Sequence, residues 1–310
     1  MLTRNSSVHP AELLALAAEQ FGVRAPAAEF VPRGEDSWAY RIGPLWVSVR
    51  RDLDGHHPAA YEAAWQLHQA GLEFVVAPLA GADGRVVHHV GGHPVVVFPH
   101  LDAVALPTSA ADLDGHRSQV QDMVGLLHRS TVDADLPLPR EDFTLPFAER
   151  MDRALRAATG EMPSRGPYGN AVREVVLRNH HALESVRRTV TEVGESCAGA
   201  GVAPVLTHGD PSPDNVIVHR GRLFVVDWGG LTWAPPERDW YNVARTFGSA
   251  PPGRDDVVDF YRIRRILSEI TEYVGRFAHP HSGDADDQAM WRRLSHNIVL
   301  LQREVGAAVG

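Results

Sequence analysis

The chain has 310 residues, of which 44% are apolar and 22% are charged, and its formal net charge is −9. These values are ordinary for a water-soluble protein with a substantial core. The acidic balance favours a cationic partner over nucleic acid, although a solvated acidic surface that aids solubility explains the charge by itself. A single cysteine, Cys197, excludes an intrachain disulfide and a zinc site built on several thiolates. The sequence shows no signal-peptide pattern and no membrane-length apolar run, so we expect a cytoplasmic protein without a membrane partner.

The basic residues have an unusual composition. All 30 of them are arginine, because the sequence contains no lysine. Every mechanism that requires a lysine is therefore excluded for this chain.

The first third of the sequence predicts a small lobe with an antiparallel sheet, ending near Leu101. Apolar residues alternate on both sides of Gly43-Pro44, which is the pattern of a β-hairpin. The elements expected in this lobe are helices over residues 10–20 and 58–70, the hairpin over residues 37–51, and strands over residues 86–90 and 94–98.

The rest of the chain is predicted to be mostly helical. Apolar residues recur at helical spacing around Val120 and again around Val176. Two short apolar runs, residues 216–218 and 223–226, flank a turn signal and predict a second hairpin. Long helices are expected over residues 255–277 and 285–305.

The clearest chemical signal lies between residues 207 and 229. Phosphoryl transfer needs a carboxylate that orients the attacking hydroxyl, and oxygen ligands that hold Mg²⁺ against the phosphates. Asp210 and Asn215 lie on one loop with the spacing Asp-x-x-x-x-Asn, and the hairpin that follows returns the chain so that Asp227 can face the same loop. These three residues predict a kinase-type site.

This segment resembles a known family. His208-Gly209-Asp210 with Asn215, followed by the Asp-Trp-Gly that starts at Asp227, is similar to the catalytic segments of protein-kinase-like enzymes in the aminoglycoside-phosphotransferase and choline-kinase branch. The resemblance implies Asp210 as catalytic base, Asn215 and Asp227 as Mg²⁺ ligands, and His208 as a buried support for the loop. It also implies a structural role for Asp239.

Looser matches extend over most of the chain. They resemble the spectinomycin-phosphotransferase-like subgroup and lie at residues 34–40, 49–51, 76–79, 83–85, 234–239 and 261–269.

The resemblance implies an α+β, protein-kinase-like two-lobed fold. A small N-terminal antiparallel-sheet lobe would span residues 1–101, and a larger, mostly helical C-terminal lobe residues 102–310. ATP would bind together with Mg²⁺, and GTP is not excluded as the nucleotide. The backbone of an interlobe hinge at about residues 95–101 would form hydrogen bonds with the adenine. The hinge candidates are Val97, Phe98, Pro99 and His100. A buried apolar strand explains residues 95–98 as well, and the two interpretations are compatible.

The chain departs from the family where a strand lysine would hold the nucleotide phosphates. Pattern matching puts Ser48 or Arg50 at that position, and residues two apart on a strand share a face, so Arg50 reaches the phosphates in either register. Glu62, on the predicted helix over residues 58–70, is its expected partner. The alternative for Arg50 is a surface arginine on an exposed strand. Arginine is bulkier than lysine and forked, so the exchange is not conservative.

Two further positions differ from the family pattern. The glycine-rich phosphate loop is reduced to Gly34, which a simple turn explains equally well. Ser212 stands where protein kinases keep a second lysine, and we include it among the catalytic candidates.

The resemblance places the acceptor site in the late helices. Glu269 and Glu272 are the candidate residues there, because acidic side chains would attract an amino-sugar cation; a solvated acidic face is the alternative.

The function expected is transfer of the γ-phosphoryl group of ATP to a hydroxyl of a small cationic molecule, foremost an aminoglycoside or aminocyclitol antibiotic, for resistance or self-protection. The alternatives are a metabolic kinase for an amino alcohol, sugar or natural-product intermediate, and a nucleotide-binding regulatory module without turnover. The sequence leaves the oligomeric state open.

Overall fold

The computed structural model describes residues 3–33, 37–53, 55–160, 165–248 and 253–308. Gly34, the candidate for the phosphate loop, lies outside these described residues. The chain forms two compact units. The first unit consists of Met1–Glu141 and Ala203–Pro252, and the second of Asp142–Val202 and Gly253–Gly310.

The helices that the structure describes are, in chain order, α1 (Pro10–Phe21), α2 (Pro58–Gln69), α3 (Ala110–Arg129), α4 (Ala148–Thr159), α5 (Gly169–Gly199), α6 (Glu237–Phe247), α7 (Asp255–Phe277) and α8 (Ala285–Ala308). The described strands are β1 (Glu29–Val31), β2 (Ser37–Ile42), β3 (Leu45–Arg50), β4 (Val87–Val90), β5 (His93–Pro99), β6 (Val104–Ala105), β7 (Val205–Thr207), β8 (Val216–His219), β9 (Arg222–Val225) and β10 (Thr232–Ala234).

An antiparallel sheet of five strands forms the N-terminal part of the first unit. Its strand order is β1-β2-β3-β5-β4, and β3 lies between β2 and β5 with Ser48 opposite Ala39 on one side and Val96 on the other. One apolar core joins this sheet to α1, whose Leu13 is fully buried. The central position of β3 buries its side chains, including polar ones.

A second core in the first unit surrounds the short strands near the predicted catalytic segment. Buried side chains of α2, α3 and α6 pack there with those of β8 and β9. The strand β8 pairs with β6 on one side and β9 on the other, while β7 pairs with β10. The ends of these short strands are thus held by three helices at once.

The second unit is helical. Long apolar faces of α5 and α7 pack together, with α4 and α8 against α7. Leu183 on α5 and Phe260 and Leu267 on α7 are fully buried. Gly194 allows close packing, because a side chain there would overlap the Phe143 carbonyl and the Phe260 ring.

Most of the elements expected from periodicity are present, in each case within a few residues of the predicted ends. Helices α4 and α6 and the strands β1, β6, β7 and β10 were not predicted. These strands have only two or three residues, too few for an alternating pattern to emerge.

The unit boundary differs from the predicted lobe boundary near Leu101. The chain continues past that residue into β6, which pairs with β8, so the catalytic segment belongs to the same compact unit as the N-terminal sheet. Within the described residues, no helix combines the length and the apolar character needed to cross a membrane.

Candidate active site

The loop that starts at His208 is held by a buried carboxylate. Asp239, on α6, is fully buried and accepts hydrogen bonds from the backbone N–H groups of His208 (3.0 Å) and Gly209 (2.6 Å). Its Oδ2 also accepts a bond from Nε2 of His128, at 3.0 Å. Asp239 therefore fixes the backbone just before Asp210, the structural role that the sequence implied.

The groups around Asp239 favour the charged form of its carboxyl. Burial by itself raises the pKa of this carboxyl, but the hydrogen bond and the charge of His128, together with further basic groups nearby that include Arg238, outweigh burial, so that the pKa lies below its ordinary value. His128 comes from α3, 111 positions away in the sequence. Sequence analysis missed this histidine, because its local pattern is that of an ordinary helix.

His208 supports the loop from inside. It is buried, and its ring lies edge-on to Trp228. The Nε2 atom lies 2.9 Å from the carbonyl oxygen of Val226, and Nδ1 lies 3.2 Å from the backbone nitrogen of Asp210. A carbonyl only accepts and an N–H only donates, so the ring is neutral with its proton on Nε2. It links the loop to the residue that precedes Asp227.

Gly209 meets two demands that only glycine satisfies. Its φ angle is +95°, and a Cβ atom there would overlap the Arg238 guanidinium. That guanidinium donates to the Thr207 hydroxyl at 2.8 Å and to the Gly230 carbonyl at 3.1 Å.

Asn215 binds directly to Asp210. Its Nδ2 donates to the Asp210 backbone carbonyl at 2.9 Å and to the Asp210 carboxylate Oδ2 at 3.2 Å. The Val226 N–H donates to the Asn215 carbonyl at 3.0 Å. Asn215 is therefore bonded to Asp210 on one side and to Val226, the chain neighbour of Asp227, on the other.

Asp227 adopts an uncommon backbone conformation. Its φ and ψ angles are 66° and 54°, the left-handed region that non-glycine residues rarely occupy. Its side chain is 48% exposed. Such conformations cluster at functional sites, where the surrounding structure holds them in place.

Gly229 lies against the residues that precede α2. Its φ angle is not positive, but a Cβ atom there would overlap Nδ1 of His56 and lie 2.6 Å from the Tyr61 hydroxyl. Its carbonyl accepts the His57 N–H at 2.9 Å. Gly229 thus permits close approach of α2 and the residues before it.

Arg50 is buried, with 6% of its surface exposed, so the alternative of a surface arginine is wrong. Its Nη1 lies 3.9 Å from Asp227 Oδ1, and its Nη2 lies 2.6 Å from His56 Nε2. The predicted pairing with Glu62 is not formed, because Glu62 lies on the exposed side of α2. Among the described contacts, Asp227 and His56 take its place.

The two serine candidates are both buried. Ser48 is 7% exposed and Ser212 is 5% exposed. The hydroxyl of Ser212 has no hydrogen-bond partner among the described residues. Ser48 lies on the central strand β3, two residues from Arg50.

The hinge candidates lie at the end of β5. Val97 is fully buried, and its carbonyl accepts the N–H of Leu79 at 2.7 Å; the N–H of His100 donates to the Pro44 carbonyl at 2.7 Å. Carbonyls two residues apart on a strand point to the same edge, so the Pro99 carbonyl faces the same way as that of Val97, away from β3. Phe98 packs edge-on against Tyr61.

The donor set at Asn215 and Asp227 suits Mg²⁺ that arrives with phosphates. No group of three or more His, Cys, Asp or Glu side chains in the described part of the chain is arranged to hold a metal ion. Mg²⁺ commonly takes one or two protein oxygens and completes its shell with phosphate oxygens and water. The Asn215 amide nitrogen donates to Asp210, so its Oδ1 is the atom that could bind a metal ion, and the Asp227 carboxylate is exposed.

The acceptor candidates lie in the second unit, on α7. Glu269 Oε2 accepts a bond from the Tyr273 hydroxyl at 2.7 Å, and its Oε1 lies 4.0 Å from Arg265. Glu272 accepts a bond from Arg276 at 2.7 Å and lies 3.8 Å from Arg150. Arginines therefore compensate the charge of both carboxylates.

Together, the antiparallel N-terminal sheet and the Asp210–Asn215–Asp227 arrangement are those of a kinase-like phosphotransferase. The model of the phosphotransferase enzyme family matches residues 30–273 of this chain. The chain therefore belongs to the phosphotransferase enzyme family, as the motif resemblance implied, and it is a small-molecule phosphotransferase.

Individual proteins are similar to this chain over most of its length. Protein StrN of Streptomyces griseus is 43% identical over 312 residues, with 96% of each chain covered. The spectinomycin phosphotransferase APH(9)-Ia, solved with ADP and spectinomycin, superposes with a TM-score of 0.72 at 15% identity, over 95% of this chain and 97% of that one. APH(2″)-IIia, solved with GDP and kanamycin, gives 0.57 at 17% identity, over 94% and 98%. These structures confirm the predicted α+β kinase-like fold.

Proposed function

We propose that this protein transfers the γ-phosphoryl group of ATP to a hydroxyl of a small cationic acceptor, with an aminoglycoside or aminocyclitol as the leading class. The observation that carries the proposal is the hydrogen-bonded set formed by Asp210, Asn215 and the residue next to Asp227.

The proposed nucleotide site uses groups of the first unit. The Pro99 carbonyl, which faces away from β3, is a hydrogen-bond acceptor for the adenine amino group. Arg50 is a donor for the phosphates, and its buried Nε has no partner among the described residues, as expected of a group that awaits an anion. Since a guanine carries a carbonyl where adenine carries the amino group, an accepting carbonyl favours ATP over GTP.

Asp210 is the proposed base. Its carboxylate would accept a hydrogen bond from the acceptor hydroxyl and orient its oxygen for in-line attack on the γ-phosphorus, while the bond from that phosphorus to the bridging oxygen breaks and ADP leaves. The Asn215 bond to Oδ2 fixes the carboxylate, and the Asp239 hydrogen bonds fix the backbone that carries it. Asn215 and Asp227 would hold Mg²⁺, which neutralises phosphate charge.

The acceptor class is proposed from the net charge of the chain and from the compounds bound in two similar structures. The net charge of −9 favours a cationic ligand. Spectinomycin and kanamycin, the compounds bound in the two similar structures, support an aminocyclitol or aminoglycoside acceptor.

The test is a mass-spectrometric screen of the purified protein with Mg²⁺ and ATP or GTP against aminoglycosides, aminocyclitols and amino alcohols. We expect one acceptor to gain a phosphoryl group with ATP. In Asp210→Ala the rate should fall by about 10²–10⁴-fold, the usual contribution of a positioned base. Asp214→Ala is the matched control, because Asp214 is an exposed carboxylate in the same loop.

The results of this screen distinguish the proposed function from its alternatives. Equal rates for Asp210→Ala and the wild-type protein would refute the role of Asp210. A phosphorylated amino alcohol with no phosphorylated antibiotic would replace the leading acceptor by a metabolic one. ATP binding without transfer to any compound would favour the regulatory module.

A further inference from the structure

We propose that His56 and Tyr61 are positioning residues that hold Arg50 in place for the nucleotide phosphates, in the role that the sequence assigned to Glu62. This inference rests on the proposed function, because it takes Arg50 to be the phosphate donor. It extends that function to residues which neither the sequence nor the family resemblance singled out.

The direction of the hydrogen bonds defines a chain of donors. An arginine can only donate, so Nη2 of Arg50 donates to Nε2 of His56 across 2.6 Å. A neutral imidazole that accepts at Nε2 carries its proton on Nδ1, and this N–H donates to the Tyr61 hydroxyl oxygen at 2.8 Å. Arg50 is thus linked to Tyr61 through His56, and its guanidinium also lies close to the Tyr61 hydroxyl itself.

The far end of this chain is rigid. Tyr61 is 1% exposed, its ring stacks on His56 at 6.0 Å between centroids, and it lies edge-on to Phe98 on β5 within a buried apolar cluster. Burial raises the pKa of the Tyr61 phenol, which therefore stays protonated in any ordinary buffer. A fixed, neutral hydroxyl orients the imidazole of His56, and the imidazole in turn orients the guanidinium.

The local packing is shaped around His56. Gly229 leaves the space that the imidazole fills, since a Cβ atom at that position would overlap Nδ1 of His56. Asp227 Oδ1 lies 4.0 Å from the same nitrogen and 3.9 Å from Arg50. His56 therefore lies close both to Asp227, the proposed Mg²⁺ ligand, and to Arg50, the proposed phosphate donor.

The arrangement leaves Arg50 able to bind an anion. A neutral imidazole removes no charge from the guanidinium, whereas a glutamate partner would cancel it. The separation of 3.9 Å from Asp227 is longer than a hydrogen bond, and the buried Nε has no partner among the described residues. An arginine held in this way keeps at least one N–H for phosphate oxygens.

The experiment measures the affinity of ADP with Mg²⁺, and of adenosine, by calorimetry. Adenosine lacks phosphates, so it reports on the base and ribose contacts alone. We expect His56→Ala to weaken ADP binding about ten-fold and Tyr61→Phe about three-fold, with adenosine unchanged in both. His56→Gln, whose amide oxygen can accept from Arg50, should restore most of the loss.

Two controls make the result specific. His57→Ala changes the exposed neighbouring histidine and should bind ADP like the wild type. In an Arg50→Ala background, His56→Ala should change ADP affinity by less than about two-fold, because residues that act through one another are not additive. The thermal midpoints of all variants are compared, so that a folding defect is distinguished from a loss of positioning.

The outcomes are distinguishable from failure of the proposed function. A wild-type protein that does not bind ADP would refute the nucleotide site itself. A wild-type protein that binds ADP, with His56→Ala and Tyr61→Phe binding it equally well, would overturn the positioning role alone. Equal losses for ADP and adenosine would also overturn it, since they would indicate a general packing defect. A selective ten-fold loss of ADP affinity, absent in the Arg50→Ala background and restored by His56→Gln, would establish it.

Discussion

At the scale of single residues, the site depends on one buried carboxylate. Asp239 accepts three hydrogen bonds, two from the backbone before Asp210 and one from His128. A buried charge is tolerated only when it is paired and hydrogen-bonded, and here the pairing also fixes a functional loop. The same carboxylate therefore contributes to stability and to the geometry of the proposed base.

This role predicts a pH-dependent effect of Asp239→Asn. The folded-state pKa of Asp239 lies below its ordinary value, so the stabilisation is complete above about pH 4 and is lost as the pH falls through the folded-state value. We expect the substitution to lower the free energy of unfolding by roughly 3 kcal/mol at pH 7, and by less below pH 4. Urea unfolding at both pH values measures this, with the exposed Asp214→Asn as control. A difference that is independent of pH would contradict the assignment.

At the scale of elements, short strands and turns position the chemistry. The hairpin of β8 and β9 has a two-residue turn at Arg220 and Gly221, whose φ angles are 50° and 74°. Both are positive, as in the turn type that matches the twist of a hairpin. This turn determines that Val226 returns opposite Asn215, and hence where Asp227 lies.

The turn predicts opposite effects for two substitutions of Arg220. Asparagine tolerates a positive φ angle and valine does not. We expect Arg220→Asn to raise the free energy of unfolding by about 0.5 kcal/mol and Arg220→Val to lower it by about 1 kcal/mol. Thermal unfolding of the two variants against the wild type measures the difference. Equal shifts in the same direction would show that the backbone conformation at Arg220 is not what matters.

At the scale of the whole molecule, the proposed nucleotide and acceptor residues belong to different compact units. Arg50, Asp210 and Asp227 lie in the first unit, while Glu269 and Glu272 lie on α7 of the second. Kinases of one fold accept many substrates because the acceptor groups vary on a common catalytic frame. The division of residues between the two units is consistent with such variation.

Substitution of the acceptor candidates is therefore predicted to change the KM for the acceptor without changing the affinity for the nucleotide. Each of Glu269→Gln and Glu272→Gln should raise KM for the acceptor about two- to five-fold, a modest change because arginines compensate both carboxylates. The affinity for ADP should not change. Steady-state kinetics and calorimetry measure the two quantities, with Glu174→Gln on the exposed face of α5 as control. An unchanged acceptor KM would remove both residues from the acceptor site.

The sequence by itself determined the elements and the catalytic segment. Strand alternation and helical spacing are local patterns, so β2, β3, α2, α5 and α7 could be predicted from residues that are neighbours in the chain. The spacing of Asp210 and Asn215 and the hairpin before Asp227 are local as well. The Asn215 bonds to Asp210 and to Val226 are formed between segments that are close in the sequence for the same reason.

Only the tertiary structure decided which residues distant in the sequence support the catalytic segment. His128 reaches Asp239 across 111 positions, and no periodicity records such a pair. Arg50 has His56 and Asp227 as neighbours rather than Glu62, because the rotation of α2 about its axis is set by core packing and directs Glu62 to solvent. Periodicity says which residues are buried together, whereas the partner of a buried polar group depends on how whole elements pack in three dimensions.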